Sequence, residues 1–278
     1  MTELLATITE LSHEFGTPDF VKGGGGNTSA KTADTLWVKP SGTTLAGLTP
    51  EKFVALDRGR LGRLYTVEIP TDSTAREALV QDLMAAAVVA GSTGRPSVEA
   101  PLHDILTGTF VVHTHAPLVN GMTCARNGAA VCARLFPDAL WVPYIDPGFT
   151  LCMDVRRRWR GQALVILENH GIFVAGDTAA EIRATYQRVS SALRAAYAQA
   201  GIATDLQGTP PARPGPLTPD HMVYAKSNKP ELVRQMAADC ALIVQLADAF
   251  GGVQYLDTRA QAFIENWEVE AYRQKQIT

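Results

Sequence analysis

Four consecutive glycines occupy positions 23–26, between Lys22 and Asn27. A glycine inside a helix costs about 1 kcal/mol relative to alanine, so a run of four excludes a helix there. Such a run marks a tight turn in which bare backbone comes close to another group. The residues before it, 4–15, carry apolar positions at helical spacing and stop at Gly16, which predicts a short amphipathic helix.

The rest of the chain mixes strand and helix signals. Residues 36–38 read as a short strand, and Lys39-Pro-Ser-Gly-Thr43 as a second turn. A helix is expected over 74–90, with Thr74 and Glu77 as a capping box and Gly91 as its stop. Residues 94–97 form a turn. Residues 110–115 alternate as a strand, and the apolar run 163–167 reads as a buried strand. Residues 171–175 can pair back on it through the Asn169-His170-Gly171 turn. Thr178 and Glu181 predict a capped helix reaching about Ala200. A Pro- and Gly-rich loop spans 205–217, and Thr218-Pro219 opens a mostly helical tail. Several strand connections look like hairpins. The pattern predicts an α/β chain with three layers, α/β/α, around a mixed, largely antiparallel sheet. One domain is expected over 1–278, with 218–278 as a helical C-terminal extension.

The bulk numbers exclude several classes. A net charge of -3 gives no electrostatic basis for a nucleic-acid or anionic-membrane partner, so an anionic substrate must be held by local groups. No apolar stretch approaches the roughly 18 residues of a membrane span. The N-terminal residues carry Glu3, Glu10 and Glu14 and lack a signal-peptide pattern. The four cysteines, Cys124, Cys132, Cys152 and Cys240, form no CxxC pair, which points to a reduced, cytoplasmic setting.

The chemistry-bearing pattern is His113-Thr-His115. Residues two apart on a strand share a face, so two imidazoles converge. His170, in the Glu-Asn-His-Gly turn after a buried strand, is placed to complete a three-imidazole site with an open position, as Zn²⁺ favours. An HxH pair can equally be a structural pair, and spacing alone does not bring residues this far apart together. His13 is expected on a helix surface and His221 near a helix start, both outside the metal set.

Four segments in order, Gly26-Asn-Thr-Ser29, Lys39-Pro-Ser-Gly42, Ser97-Val-Glu99 with His113-Thr-His115, and Asn169-His-Gly171, resemble the class II aldolase/adducin family. The resemblance spans roughly residues 5–200. Within it, Gly23-Gly-Gly-Gly-Asn-Thr-Ser29, Val142-Pro-Tyr-Ile-Asp-Pro-Gly148 and Leu217-Thr-Pro-Asp-His-Met-Val-Tyr224 are similar to the aldolase portion of bifunctional rhamnulose-phosphate aldolase/dehydrogenases. No GxGxxG follows a strand here, so a lone aldolase-type protein is expected.

The resemblance implies a metal-dependent aldolase. Its reaction would reversibly cleave a ketose 1-phosphate, of the rhamnulose or fuculose type, into dihydroxyacetone phosphate and an aldehyde. It implies His113, His115 and His170 as ligands of Zn²⁺, or of Mn²⁺ or Co²⁺, and Glu99 as the acid/base carboxylate. It implies Asn27, Thr28, Ser29, Ser41, Gly42 and Ser97 as the phosphate-side turns. Many members carry Ser-Ser-Glu where this chain has Ser97-Val98-Glu99, so one hydroxyl is missing. Tyr144 and Asp146 are candidates by residue type for a proton donor lent by a neighbouring subunit, and His103 sits one helical turn after Glu99. A homotetramer is implied. The same scaffold in the family also supports epimerisation, dehydration and decarboxylation, and adducin heads share it without catalysis.

Overall fold

The computed structural model describes residues 2–267. Its strands are β1 (Asn27–Lys31), β2 (Thr35–Val38), β3 (Val54–Asp57), β4 (Phe110–Thr114), β5 (Leu140–Val142), β6 (Leu164–Leu167) and β7 (Gly171–Gly176). They form one sheet in the order β3-β2-β1-β4-β7-β6-β5. Every neighbouring pair is antiparallel except β5 with β6. The helices are α1 (Thr2–Glu14), α2 (Arg58–Leu61), α3 (Ser73–Ala87), α4 (Ala100–Ile105), α5 (Pro117–Thr123) and α6 (Gly128–Leu135). They continue with α7 (Phe149–Arg158), α8 (Ala179–Gln199), α9 (Pro219–Tyr224), α10 (Pro230–Ala247) and α11 (Thr258–Asn266).

The period-2 rule sorts the central strands between two cores. Phe110, Val112, Leu164, Ile166, Ile172 and Val174 face one side, where they pack with Ile8 and Leu11 of α1 and Ile182, Tyr186 and Val189 of α8. Val111, Val165, Leu167, Phe173 and Ala175 face the other, against Leu102 of α4 and Leu151 and Val155 of α7. On that second side Leu36, Val38, Val54 and Leu56 of the outer strands meet α3. Helices cover both faces of a mixed sheet, as the sequence pattern predicts. None of the described helices is long and apolar enough to cross a membrane.

Several boundaries differ for identifiable reasons. The helix expected over 74–90 is Ser73–Ala87, and its cap is the Asp72 side chain accepting from Ala75 N, not Thr74. It stops before Gly91 because Val88 turns extended and bridges Leu56, while Val89 N donates to Ala55 O. An interaction with β3 therefore ends the helix. Strand β4 ends at Thr114, so His115 lies just past the last paired residue. The short strands β3 and β5 have no forerunner in the sequence pattern. The hairpin of β6 and β7 and the capping box of α8 form as expected. The tail from 218 supplies α9, α10 and α11, and its portion from 268 lies outside the described residues.

In that capping box the Thr178 hydroxyl accepts from Glu181 N, and Glu181 Oε2 accepts from Thr178 N. Thr178→Ala is expected to lower stability by ~1 kcal/mol, read as a shift of the urea midpoint at unchanged slope. An unchanged midpoint would show that packing alone holds α8.

Candidate metal centre

The centre is built on the middle of the sheet. In register, His113 of β4 stands beside Asn27 of β1 on one side and Phe173 of β7 on the other. The Phe173 ring stacks on the imidazole at 3.8 Å and 8°. His113 Nδ1 lies 2.8 Å from the Ile172 carbonyl oxygen, which can only accept. The proton therefore sits on Nδ1, and Nε2 presents a lone pair.

His115 follows where the chain leaves the sheet. Its Nδ1 is 2.5 Å from Asp220 Oδ2, on the first turn of α9. The carboxylate accepts, so His115 Nε2 also carries a lone pair. His170 sits in the turn between β6 and β7, entered through Asn169 at φ +51°. The left-handed region suits asparagine, and its amide donates to the carbonyls of Leu217 and Gln254. Gly171 is required because a Cβ there would lie 2.2 Å from Thr114 O. The buried Asn120 amide donates to the backbone oxygens of both His115 (3.3 Å) and His170 (3.2 Å), tying the two turns together.

The ligand-capable nitrogens of His113, His115 and His170 all lie within 4.8 Å of one another. The Nε2 atoms of His113 and His115 are 2.9 Å apart. With both Nδ1 protons committed to acceptors, those two nitrogens in neutral rings are both acceptors, so the contact is not a hydrogen bond. Two lone pairs at that distance repel unless a cation lies between them. Burial pushes the His170 pKa down to about 3, against the attraction of Glu99, so this ring is neutral near pH 7.

Glu99 stands just before α4, makes no side-chain capping bond there, and turns its carboxylate into the same space. Its Oε1 is 3.5 Å from His113 Nε2 and 3.7 Å from His170 Nε2, and it is buried without a hydrogen-bond partner. Its Oε2 accepts from the Asn27 amide. An orphaned carboxylate oxygen beside three imidazole lone pairs fits a divalent cation by donor chemistry. Glu99, His115 and His170 keep a small solvent exposure, whereas His113 has none, so the opening lies on their side.

The other expected residues divide. Ser97 Oγ accepts from Glu99 N and shapes the approach to the carboxylate. Ser41 and Gly42, the latter at φ +80°, are half-buried in the 39–43 turn. Ser29 bonds His103 Nδ1 at 2.8 Å, so His103 is not aimed at Glu99. Thr28 points to the opposite face of β1 and pairs with Ser12 of α1 at 2.7 Å, away from the centre. Tyr144 packs against the cluster of α9 and α11, and Asp146 pairs with Arg259. His13 is exposed on α1, and His221 is buried near the start of α9. Asp220, Asn120 and Lys39, whose Nζ donates to Gly24 O at 3.1 Å, were not singled out by sequence. An acidic residue in a first helical turn reads equally well as a partner of the helix dipole, so Asp220 gave no separate signal.

The sequence profile described as "Class II Aldolase and Adducin N-terminal domain" matches residues 6–197, and the chain belongs to this family. A curated relative, the uncharacterized oxidoreductase YuxG of Bacillus subtilis (strain 168), is 31% identical over 186 residues. That match covers 62% of this chain and 26% of YuxG, so the chain spans about a quarter of that relative. The N-terminal class II aldolase domain of a conserved protein from Thermoplasma acidophilum superposes with a TM-score of 0.60 at 28% identity. It covers 68% of this chain and 91% of its own. A solved L-fuculose 1-phosphate aldolase superposes with a TM-score of 0.51 at 16% identity, covering 72% of this chain and 87% of its own. At that identity the likeness is one of fold. Class II aldolases use a divalent metal, and the buried imidazole triad of this chain could hold one.

Burial also pushes His221 down to about 4 from an ordinary 6.5. A histidine held neutral in the fold but protonated when unfolded contributes stability above pH 6.5 that is lost as pH falls toward 4. The buried Asp239 carboxyl, raised to about 6, works the other way. The test therefore compares variants. In metal-free protein, the drop in urea midpoint between pH 7 and pH 5 is expected to shrink in His221→Gln. An equal drop in both proteins would contradict the burial argument.

Proposed function

We propose that this protein is a zinc-dependent aldolase that reversibly cleaves a ketose 1-phosphate of the rhamnulose or fuculose type into dihydroxyacetone phosphate and an aldehyde. The observation that carries this reading is the orphaned Glu99 oxygen, aimed at the point where three imidazole lone pairs meet. His113, His115 and His170 would hold the ion through nitrogen, a donor set that suits Zn²⁺ and is also open to Mn²⁺ or Co²⁺. When bound, the ion supplies Lewis acidity, polarising the substrate ketone and stabilising negative charge that develops during carbon–carbon cleavage.

The protein's own groups do the rest. Glu99 exchanges a proton with the substrate at Oε1, while the Asn27 amide holds Oε2 and fixes the direction of the carboxylate. The Ser41 hydroxyl and the Gly42 N–H would meet an anion at the 39–43 turn, with Ser97 on the Glu99 side, since the N–H groups of Gly24, Gly25 and Ser41 already donate within the protein. Lys39, buried under the glycine run, adds a local positive charge there. In this reading Asn27 and Ser29 contribute by positioning Glu99 and His103, and Thr28 by anchoring β1 to α1. Burial, with Asp146 beside it, raises the Tyr144 pKa and keeps its hydroxyl protonated. A homotetramer and a cytoplasmic location complete the reading. They are supported by the family resemblance and by four cysteines that are free and buried.

The test is release of dihydroxyacetone phosphate from a panel of ketose 1-phosphates before and after chelation. Chelation and His113→Ala are each expected to abolish release. Glu99→Gln is expected to cut kcat by roughly 10²–10⁴-fold, the range for loss of a general acid/base, while zinc stays bound. Release that survives chelation, or metal-loaded protein that releases nothing from any member of the panel, would defeat the aldolase assignment.

A further inference from the structure

The family match ends at residue 197, yet the centre draws a group from beyond it. Asp220 Oδ2 meets His115 Nδ1 at 2.5 Å, and Asp220 is only 3% exposed. Three features aim that carboxylate. Thr218 caps α9 by accepting from His221 N, which places the N-cap two residues before Asp220. Tyr224, at the other end of α9, accepts from Gly24 N at 2.9 Å, which ties the helix to the glycine run. Gly25 leaves the space between them. A Cβ at Gly25 would lie 2.3 Å from Asp220 Oδ2 and 3.2 Å from His115 Nδ1. The glycine run is thus the socket for a carboxylate carried by the C-terminal helices.

We infer that Asp220 is a positioning residue of the metal centre, holding His115 with its proton on Nδ1 and its Nε2 lone pair turned to the ion. This rests on the three histidines binding metal, as proposed above. A neutral imidazole can carry its proton on either nitrogen, and the strand end at Thr114 leaves the His115 ring without a sheet neighbour to decide. The Asp220 carboxylate decides it. An acceptor at Nδ1 excludes the tautomer that would block Nε2, and its charge raises the basicity of the ligating nitrogen. His113 has the same arrangement with a carbonyl oxygen as acceptor, so the two rings are oriented by different devices. Segment 218–224 is by this account part of the metal site and not an appendage to it.

The experiment is a Zn²⁺ titration of the full-length, metal-stripped protein against a chromophoric chelator, with the thermal midpoint of each metal-free protein recorded alongside. Asp220→Ala is expected to weaken Zn²⁺ binding by roughly 10–100-fold, the usual effect of removing a ligand's outer partner. Asp220→Asn keeps the shape and an accepting oxygen but not the charge, and should fall between Ala and wild type. Gly25→Ala, whose Cβ would crowd the Asp220 carboxylate far more than the His115 ring, should weaken binding in the same direction. Metal-free midpoints close to wild type for Asp220→Asn would separate positioning from folding. Wild-type affinity in Asp220→Ala and Asp220→Asn would overturn the inference, as would a loss in both variants fully matched by unfolding of the metal-free protein. Failure of wild-type protein to bind Zn²⁺ would instead remove the metal reading beneath it.

Discussion

The centre depends on the register of β4 between β1 and β7. That register sets His113 opposite Asn27 and Phe173 in one row across the sheet. Asn27 then reaches Glu99, Phe173 stacks on the ring, and the Ile172 carbonyl takes its Nδ1 proton. A slip of one residue would turn every side chain to the other face, burying His113 among the apolar contacts of α1 and α8. The apolar alternation on both faces of β4, with Phe110 and Val112 on one side and Val111 on the other, is what prevents that slip.

Around that row the protein assembles groups that would be unfavourable without a ligand. Two imidazole lone pairs face each other at 2.9 Å, and a buried carboxylate oxygen lacks a partner beside them. Each is costly when buried and unsatisfied. The surrounding structure is correspondingly rigid. Asn120 ties the two histidine turns, Asn169 is fastened to the backbone at Leu217 and Gln254, and glycines at 25 and 171 admit contacts that no other residue would allow. The scaffold holds its donors in place through its own hydrogen bonds, which is the condition for a preorganised site.

The C-terminal helices enlarge the picture of the family fold. The matched region ends with α8, but α9 closes over the glycine run and brings Asp220 against His115. Helix α10 packs on α5, the helix that carries Asn120, with Leu246 joining the main core. The tail therefore supports the centre from two directions.

Much of this was legible in the residues themselves. The glycine run, the HxH alternation, the hairpin through Asn169-His170-Gly171 and the capping box of α8 are local devices, and each follows from spacing or backbone chemistry over a few residues. The resemblance to class II aldolases supplied the expectation that His170 joins His113 and His115. What spacing did not reveal depends on contacts far along the chain: the bridge from Val88 to Leu56 that stops α3 early, the turn of Ser29 toward His103, and the use of Thr28 as an anchor to α1. Asp220 is the clearest case. In sequence it is one acidic residue in a first helical turn, 105 positions from His115. The sequence by itself determined which residues could serve as ligands and that His113 and His115 would stand together at the end of one strand, because side-chain chemistry and period-2 alternation are local. Only the tertiary structure decided which nitrogen of His113 and of His115 is turned inward, because that depends on the acceptor that packing brings to the other side of the ring.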